Sequence, residues 1–454
     1  MIGEKRFREI RDRILKYSKA DQMEILLLGE ESNLTRFANS EIHQNVSQIN
    51  AQLIIKAVAG KRIGTSGTNL LDEVSLKRAV DRAYEIAQLQ PENPDFQSLP
   101  KPKKIPSDYG RPLYFEETHR FSPEERADGV KSMMKRVSSR QYKTFGAFTT
   151  GASELGIANS LGIFTYAIST DAYLNTIVMT DSGSGFAQGA HRNVRMLKPE
   201  EILQFALQKA ERSRDPVEIQ PGTYEVILEE NAVSTLIEFL GYMGLGAHSY
   251  QEGRSFMSGR MGEKITGDNI TLWDDGLDPK GFSFPFDFEG VPKEKVILIE
   301  KGVAKGVVYD TLSADKEKRT STGHSTGSSV WGPFPSNLFL KAGESTLEEM
   351  IRSTKKGIYV TRFHYTNVVE PVKSIITGMT RDGTFLIEGG EITRPLKNLR
   401  FTQSILEALN HVTHITKDTR LVGEGEGYGI RFARGTVTPA IKCEKFQFTG
   451  VTEF

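Results

Sequence analysis

Apolar residues recur along this chain with two periods, and the switches between them mark out its elements. Phe7, Ile10, Ile14 and Tyr17 fall at helical spacing, and Ile25 to Leu28 then reads as a short buried strand. From Arg36 to Val58 alternation predicts two paired strands. Val74 to Gln88 returns to the helical period through Val74, Ala79, Val80, Ala83 and Ala87. Six prolines between Pro91 and Pro112 predict an extended surface connection rather than an element.

A second round follows. Ser122-Pro123-Glu124-Glu125 sets a hydroxyl at the cap, a proline in the first turn and two carboxylates near the positive end of a helix that should reach Ser139. Ala158-Asn159-Ser160 repeats Ala38-Asn39-Ser40, and Ile163 to Met179 alternates like the strands of the first round. Two related strand-rich modules are therefore expected, against the alternative of two unrelated sheets. Pro199 to Arg212 predicts another helix, and Pro216 to Gly222 a hinge.

Beyond the hinge, short strands and glycines dominate. Leu298-Ile299-Glu300-Lys301-Gly302 and Leu386-Ile387-Glu388-Gly389-Gly390 each predict a β-hairpin, and Thr346 to Lys356 carries start and stop signals of a helix. A Glu–Gly run from Gly423 to Gly429 leads to the last strand. The expected fold is α+β: residues 1–218 form an α+β domain with long antiparallel strands, and residues 219–454 a mainly antiparallel β domain with a few helices.

The segment Asn231 to Ile265 is the most informative for function. Asn231 is placed to cap a helix whose core face is Val233, Leu236, Ile237 and Leu240, and Gly241, Gly244 and Gly246 then break the pattern. Four separated stretches carry a resemblance: Thr35-Arg36-Phe37-Ala38-Asn39-Ser40-Glu41-Ile42-His43-Gln44-Asn45, Ser255-Phe256-Met257-Ser258-Gly259-Arg260-Met261-Gly262-Glu263, Phe385-Leu386-Ile387-Glu388-Gly389-Gly390-Glu391-Ile392 and Thr438-Pro439-Ala440-Ile441-Lys442. In this order they resemble the TldD/PmbA family, also called the modulator-of-DNA-gyrase family. TldD-type members carry an HExxxH motif ahead of the Ser-Gly-x-x-Gly-Glu stretch, and a later cysteine completes their zinc site.

Counted back without gaps, the HExxxH positions hold Glu238, Phe239 and Met243 here. A carboxylate, a phenyl ring and a thioether replace two imidazoles and the general base, and a thioether suits zinc poorly. The chain thus resembles the PmbA (TldE) type. That resemblance implies no zinc of its own, a TldD-type zinc subunit or a second copy as partner, and an unfolded or extended peptide as substrate. A stand-alone peptide-binding or regulatory homodimer, or a hydrolase with a different site, remains the alternative.

Other candidates carry less chemistry. His248, Glu252 and Arg254 follow the Gly-rich helix end and are groove candidates, with a solvated loop as the plain alternative. His324 lies in the polar stretch Ser321 to Ser329, which suits wrapping a peptide backbone or a solvent loop, with Trp331 and Phe334 as stacking surface. Ser325 or Ser258 as a nucleophile lacks a Gly-x-Ser-x-Gly elbow. His411 and His414 would share one helix face but have no acid or thiol beside them in sequence. Gly423-Glu424-Gly425-Glu426-Gly427 repels phosphate with its carboxylates. No thiol occurs from Gly423 to Arg434, and Cys443 reads as a small core residue.

Composition narrows the classes further. Lys plus Arg and Asp plus Glu both total 58, so no broad positive field favours nucleic acid. No apolar run is long enough to span a membrane, and the charged amphipathic start MIGEKRFREIRDRILKYSKAD is no signal peptide, so a cytoplasmic protein is expected.

Overall fold

The computed structural model describes residues 1–106, 112–328, 330–423 and 431–452. The first half holds α1 (Glu4–Tyr17), β1 (Gln22–Ala38), β2 (Glu41–Ala59), β3 (Arg62–Thr68), α2 (Glu73–Leu89), the single turn α3 (Glu116–His119), α4 (Pro123–Ser138), β4 (Lys143–Asn159), β5 (Phe164–Met179), β6 (Ser184–His191) and α5 (Pro199–Arg212). The six strands make one antiparallel sheet in the order β3-β2-β1-β4-β5-β6. Each half of that sheet is a three-stranded meander flanked by two helices, and β1 joins β4 edge to edge at its centre.

The helices lie on one face of this sheet. Phe7, Ile10 and Ile14 of α1 pack with Leu76, Val80 and Ala83 of α2 over Ile25, Leu27, Leu53 and Ile55. Val130, Met133 and Val137 of α4 pack with Leu203, Ala206 and Leu207 of α5 over Phe148 and Leu174. The opposite face carries Leu26, Leu155 and Ile157, which meet Phe284 and Phe286 from the second half. Ala38-Asn39-Ser40 and Ala158-Asn159-Ser160 stand at the same place in the two meanders, the turn after the first strand. Asn39 and Ser40 adopt positive φ there.

The second half holds β7 (Gly222–Leu228), α6 (Glu230–Gly244), α7 (Ala247–Gln251), β8 (Leu272–Asp274), β9 (Val296–Glu300), β10 (Val303–Ala304), α8 (Thr311–Lys316), β11 (Asn337–Leu340) and α9 (Leu347–Arg352). It continues through β12 (Lys356–Glu370), β13 (Ile375–Glu388), β14 (Glu391–Pro395), β15 (Leu399–Ser404), α10 (Ile405–Asn410), β16 (Val412–Ile415), β17 (Arg420–Gly423), β18 (Gly435–Thr438) and β19 (Ile441–Val451). Pairing around β12-β7-β19-β15-β13 and back to β12 closes a five-stranded ring, with β14 added on β13 and β16 on β19. A separate sheet runs β10-β9-β8-β11-β18-β17. Helix α6 lies between the ring and this sheet, burying Val233, Leu236, Ile237 and Leu240 in one large core with strands of both. The fold is α+β and rich in antiparallel pairing, with β7–β12 and β11–β18 as parallel exceptions.

Several local expectations change. The strand read as Ile25 to Leu28 is the long β1, in whose polar half Glu30, Asn33 and Thr35 are buried. The helix read as Thr346 to Lys356 ends at Arg352, because Lys356 opens β12; its capping box at Thr346 and Glu349 is present. Both predicted hairpins form, as β9–β10 and β13–β14. Among the described residues no helix is long and apolar enough to cross a membrane.

Polar contacts lock the halves together. Glu229 accepts a hydrogen bond from Lys209 of α5 and another from Tyr359 of β12, each at 2.5 Å. Ser184 of β6 donates to Asp382, which also pairs with Arg362. Arg431 crosses to the first sheet and pairs with Asp171 at 2.5 Å, while Ser153 donates to its carbonyl.

Candidate functional site

Helix α6 starts two residues earlier than its sequence suggests. Glu229, in an extended conformation, stands at the N-cap, and Asn231 lies inside the first turn, where its side chain accepts from Gln188 of β6 at 2.6 Å. Asn231 therefore joins the two halves instead of capping. Gly241 does not end the helix; a Cβ there would press on Leu338 and Pro335, so its absence lets β11 lie close. The break comes at Gly244, packed on Ser255 and Phe256, after which Gly246 begins α7.

The three positions singled out on α6 have divided roles. Glu238 is half-buried at the side of β18, accepting from Ser234 Oγ at 2.5 Å and Thr436 Oγ1 at 3.4 Å. Phe239 leans against the large core, and Met243, 3 % exposed, is inside it. A carboxylate held by hydroxyls, a phenyl ring and an enclosed thioether do not fit zinc. Among the described residues no three His, Cys, Asp or Glu side chains are grouped to hold a metal ion. Ser234 and Thr436 were not foreseen, although Ser234 stands one helical turn before Glu238 and the spacing alone could have shown it.

His248, Glu252 and Arg254 do come together. His248 Nε2 lies 2.9 Å from Glu252 Oε1 across one turn, and Arg254 pairs with the other carboxylate oxygen. The Arg254 guanidinium, followed by His248, holds the Glu252 carboxyl below its usual value. Gly332, at positive φ, sits against the His248 ring. Beside it the exposed Trp331 and Tyr242 have ring centroids 6.3 Å apart, so an aromatic and charged surface patch borders the end of α6.

His324 does not belong to that patch. It is buried, with Nε2 2.8 Å from Asp274 Oδ1 and Nδ1 2.9 Å from Thr322 Oγ1. Burial holds its imidazole below the usual histidine value, with Asp274 pulling the other way, so the neutral ring donates from Nε2 to the carboxylate. In the described part of the polar stretch, residues 321 and 323–325 are buried, while Ser325, Gly327 and Ser328 line a small pocket with Lys56 and Glu289. Ser325 N–H donates to the buried Asp287, and Gly327 touches Leu26 of the first sheet. Small polar residues were needed there because the stretch is squeezed between the halves.

His411 caps α10 while His414 lies in β16, so they share no helix face. Cys443 is buried in β19 with its Sγ 3.1 Å from the Ala408 carbonyl, and burial pushes its thiol up to about 12, consistent with an inert core residue. Ser258 donates to the Tyr250 carbonyl, a structural contact. The Glu–Gly run, beyond Gly423, lies outside the described residues.

A two-module sheet bearing four helices, docked on a β ring and sheet around a central helix, defines the class of protein. Residues 221–450 match the PmbA/TldA metallopeptidase C-terminal domain, and residues 23–87 match PmbA/TldA metallopeptidase domain 1. The chain belongs to the TldD/PmbA family. A metalloprotease of Methanocaldococcus jannaschii is 22% identical over 415 residues, covering 88% of this chain and 91% of the relative. A metalloprotease TldD homolog of Buchnera aphidicola is 23% identical over 444 residues, covering 91% and 89%. The crystal structure of TldE from Thermococcus kodakarensis superposes with a TM-score of 0.85 at 22% identity, covering 98% of this chain and 99% of that one. A candidate modulator of a DNA gyrase from Thermotoga maritima gives 0.86 at 21%, covering 98% and 100%. These two structures share the fold.

Proposed function

We propose that this chain is the non-zinc, PmbA/TldE-like subunit of a metallopeptidase system, acting in the cytoplasm on unfolded or extended peptides. Its catalytic partner would be a TldD-type zinc subunit. The observation that carries this reading is the state of α6: Met243 is packed into the core, Phe239 leans on it, and Glu238 is engaged by Ser234 and Thr436. A helix committed to packing at these positions has no imidazole or free general base to offer. None of the eight histidines in the chain is followed by glutamate. The patch of His248, Glu252, Arg254, Trp331 and Tyr242 supplies charge and flat apolar surface suited to an extended chain.

The test has two arms. Elemental analysis of dialysed protein should give sub-stoichiometric zinc, and the protein alone should leave unfolded peptides intact. Adding a TldD-type subunit should create cleavage that a chelator abolishes. One zinc per chain, or peptide cleavage by the isolated protein that Glu238→Gln removes, would overturn the reading.

A further inference from the structure

A small cavity lies at the junction of the two halves, beside the end of β6. His191 and Arg192 line it from the first half, Lys280, Phe282 and Ser283 from the second, and Phe115 from the segment bonded to Thr170 of β5. Arg192 is only 7% exposed, and its backbone is pinned because its carbonyl accepts from the hydroxyls of Thr118 and Thr170. Its side chain spans the halves: Nη1 donates to the Thr170 carbonyl at 3.1 Å and Nη2 to the Ser283 carbonyl at 2.6 Å. Those two bonds leave several N–H groups of the guanidinium fork unused, and Nε has no partner at all.

The charge of Arg192 is unmatched as well. Asp171, the carboxylate that acts on it, is committed to Arg431 at 2.5 Å. Burial lowers the guanidinium to about 10, so it stays charged at neutral pH. Among the described residues no Asp or Glu lines the cavity, whereas the exposed Lys280 does, and it pairs with no acid. Buried charges are ordinarily paired, because an unpaired one forfeits its hydration. A fixed cation with spare donors on a cavity thus defines its missing partner.

We infer that this cavity binds a small carboxylate, its oxygens on the spare N–H groups of Arg192 and near Lys280, its apolar substituent against Phe115 and Phe282. A planar carboxylate matches a guanidinium two oxygens to two N–H groups. Phosphate, with more charge and more acceptors, finds too few donors, since Pro112, Pro279 and Leu421 make up other walls. The ligand touches both halves and so favours the folded, closed chain. Two sources offer the same group, a free carboxylic acid and the C-terminus of a peptide. The cavity shares no residue with α6 or the His248 patch, so its fate is separate from that of the peptidase reading.

Butyrate and inorganic phosphate, titrated into the dialysed full chain at matched ionic strength, provide the test, read by calorimetry, melting temperature and the Arg192 Nε–H resonance. Butyrate should bind with about millimolar affinity or tighter, raise the melting temperature and shift that resonance, with phosphate roughly tenfold weaker or worse. Lys280→Glu, at an exposed position, should weaken butyrate roughly tenfold with an unchanged circular dichroism spectrum. Arg192→Lys keeps the charge but loses the fork, and should abolish binding. Competition separates the sources: a tripeptide that displaces butyrate while its C-terminal amide does not identifies a chain end, and one that leaves butyrate bound identifies a free acid. No butyrate binding at about 50 mM, phosphate binding as tightly as butyrate, or butyrate affinity unchanged in Lys280→Glu would each overturn the inference.

Discussion

The two modules of the first sheet are built alike and finished differently. Each runs helix, three antiparallel strands, helix, and in each the third strand carries a glycine pressed against a pair of alanines one turn apart on the closing helix. A Cβ on Gly64 would stand 2.2 Å from Ala83 O and Ala87 N; one on Gly185 would stand 2.1 Å from Ala206 O and 2.4 Å from Ala210 N. The helix backbone lies directly on the strand in both. Yet the second module's long hairpin is sheltered by the 112–119 segment, by α1 and by residues near Gly290, while the first module's hairpin projects bare. What is duplicated is the packing of helix on strand; what differs is the treatment of the edge.

The strongest way to break the equivalence is to enlarge both glycines. Gly64→Val and Gly185→Val should each lose about 3 kcal/mol or more in chemical denaturation, because helix backbone cannot yield as a flexible side chain would. A module in which the change is harmless would not share the other's architecture.

A smaller effect is expected at the cover of the second module. Thr118 is fully buried; its hydroxyl donates to the Arg192 carbonyl at 2.9 Å and accepts from Val194 N–H at 2.8 Å. Thr118→Val leaves the Val194 N–H without that partner, at about 2 kcal/mol. Hydrogen exchange of residues 164–171 should then rise toward the rate of residues 43–49, turning a covered edge into a bare one.

The far end of the first module offers a pH test. Lys56 of β2 pairs with Glu24 of β1 at 2.7 Å, beside Glu289 and Asp310 from the second half. Burial holds the Glu289 carboxyl well above its ordinary value, with Lys56 opposing and Asp287 reinforcing. The folded state thus keeps a proton that the unfolded chain releases, so stability should fall as pH rises above about 4.3, the unfolded value, toward the raised folded one. Glu289→Gln should flatten that decline in pH-dependent melting, and an unchanged slope would place the cause elsewhere.

Much of this architecture was legible from period and caps: α2, α4, α5 and both C-terminal hairpins stand within a residue or two of expectation, whereas Arg36 to Val58, read as two paired strands, is the end of β1 followed by the single strand β2. What was hidden depended on partners distant in sequence. Glu30 and Thr35 are buried in β1, satisfied by Arg431 N–H and by Arg126, so a continuous strand looked polar and was cut short. The residues facing Glu238 were hidden in part for the same reason, since Thr436 arrives from β18. His324 looked like groove chemistry because a Ser/Thr/Gly stretch reads as solvent; here the same small residues let two halves close over a buried His–Asp pair. The Gly64 and Gly185 contacts gave only a pair of alanines at helical spacing as a clue.

The smallest effect sharpens the comparison most, because it must be nearly nothing. In the single chain Gln44 and Ile49 of β2 are exposed, and the Gln44 side chain makes a long 3.5 Å contact with Arg36. Gln44→Ala/Ile49→Ser should therefore change stability by less than about 0.5 kcal/mol. Thr170→Val, on the corresponding stretch of β5, should cost more than this, since that hydroxyl donates to the Arg192 carbonyl at 3.0 Å and accepts from Phe115 N–H. If the β2 variant lost about 1 kcal/mol or more, its edge would already be covered within the chain, and the contrast between the modules would fail at its root.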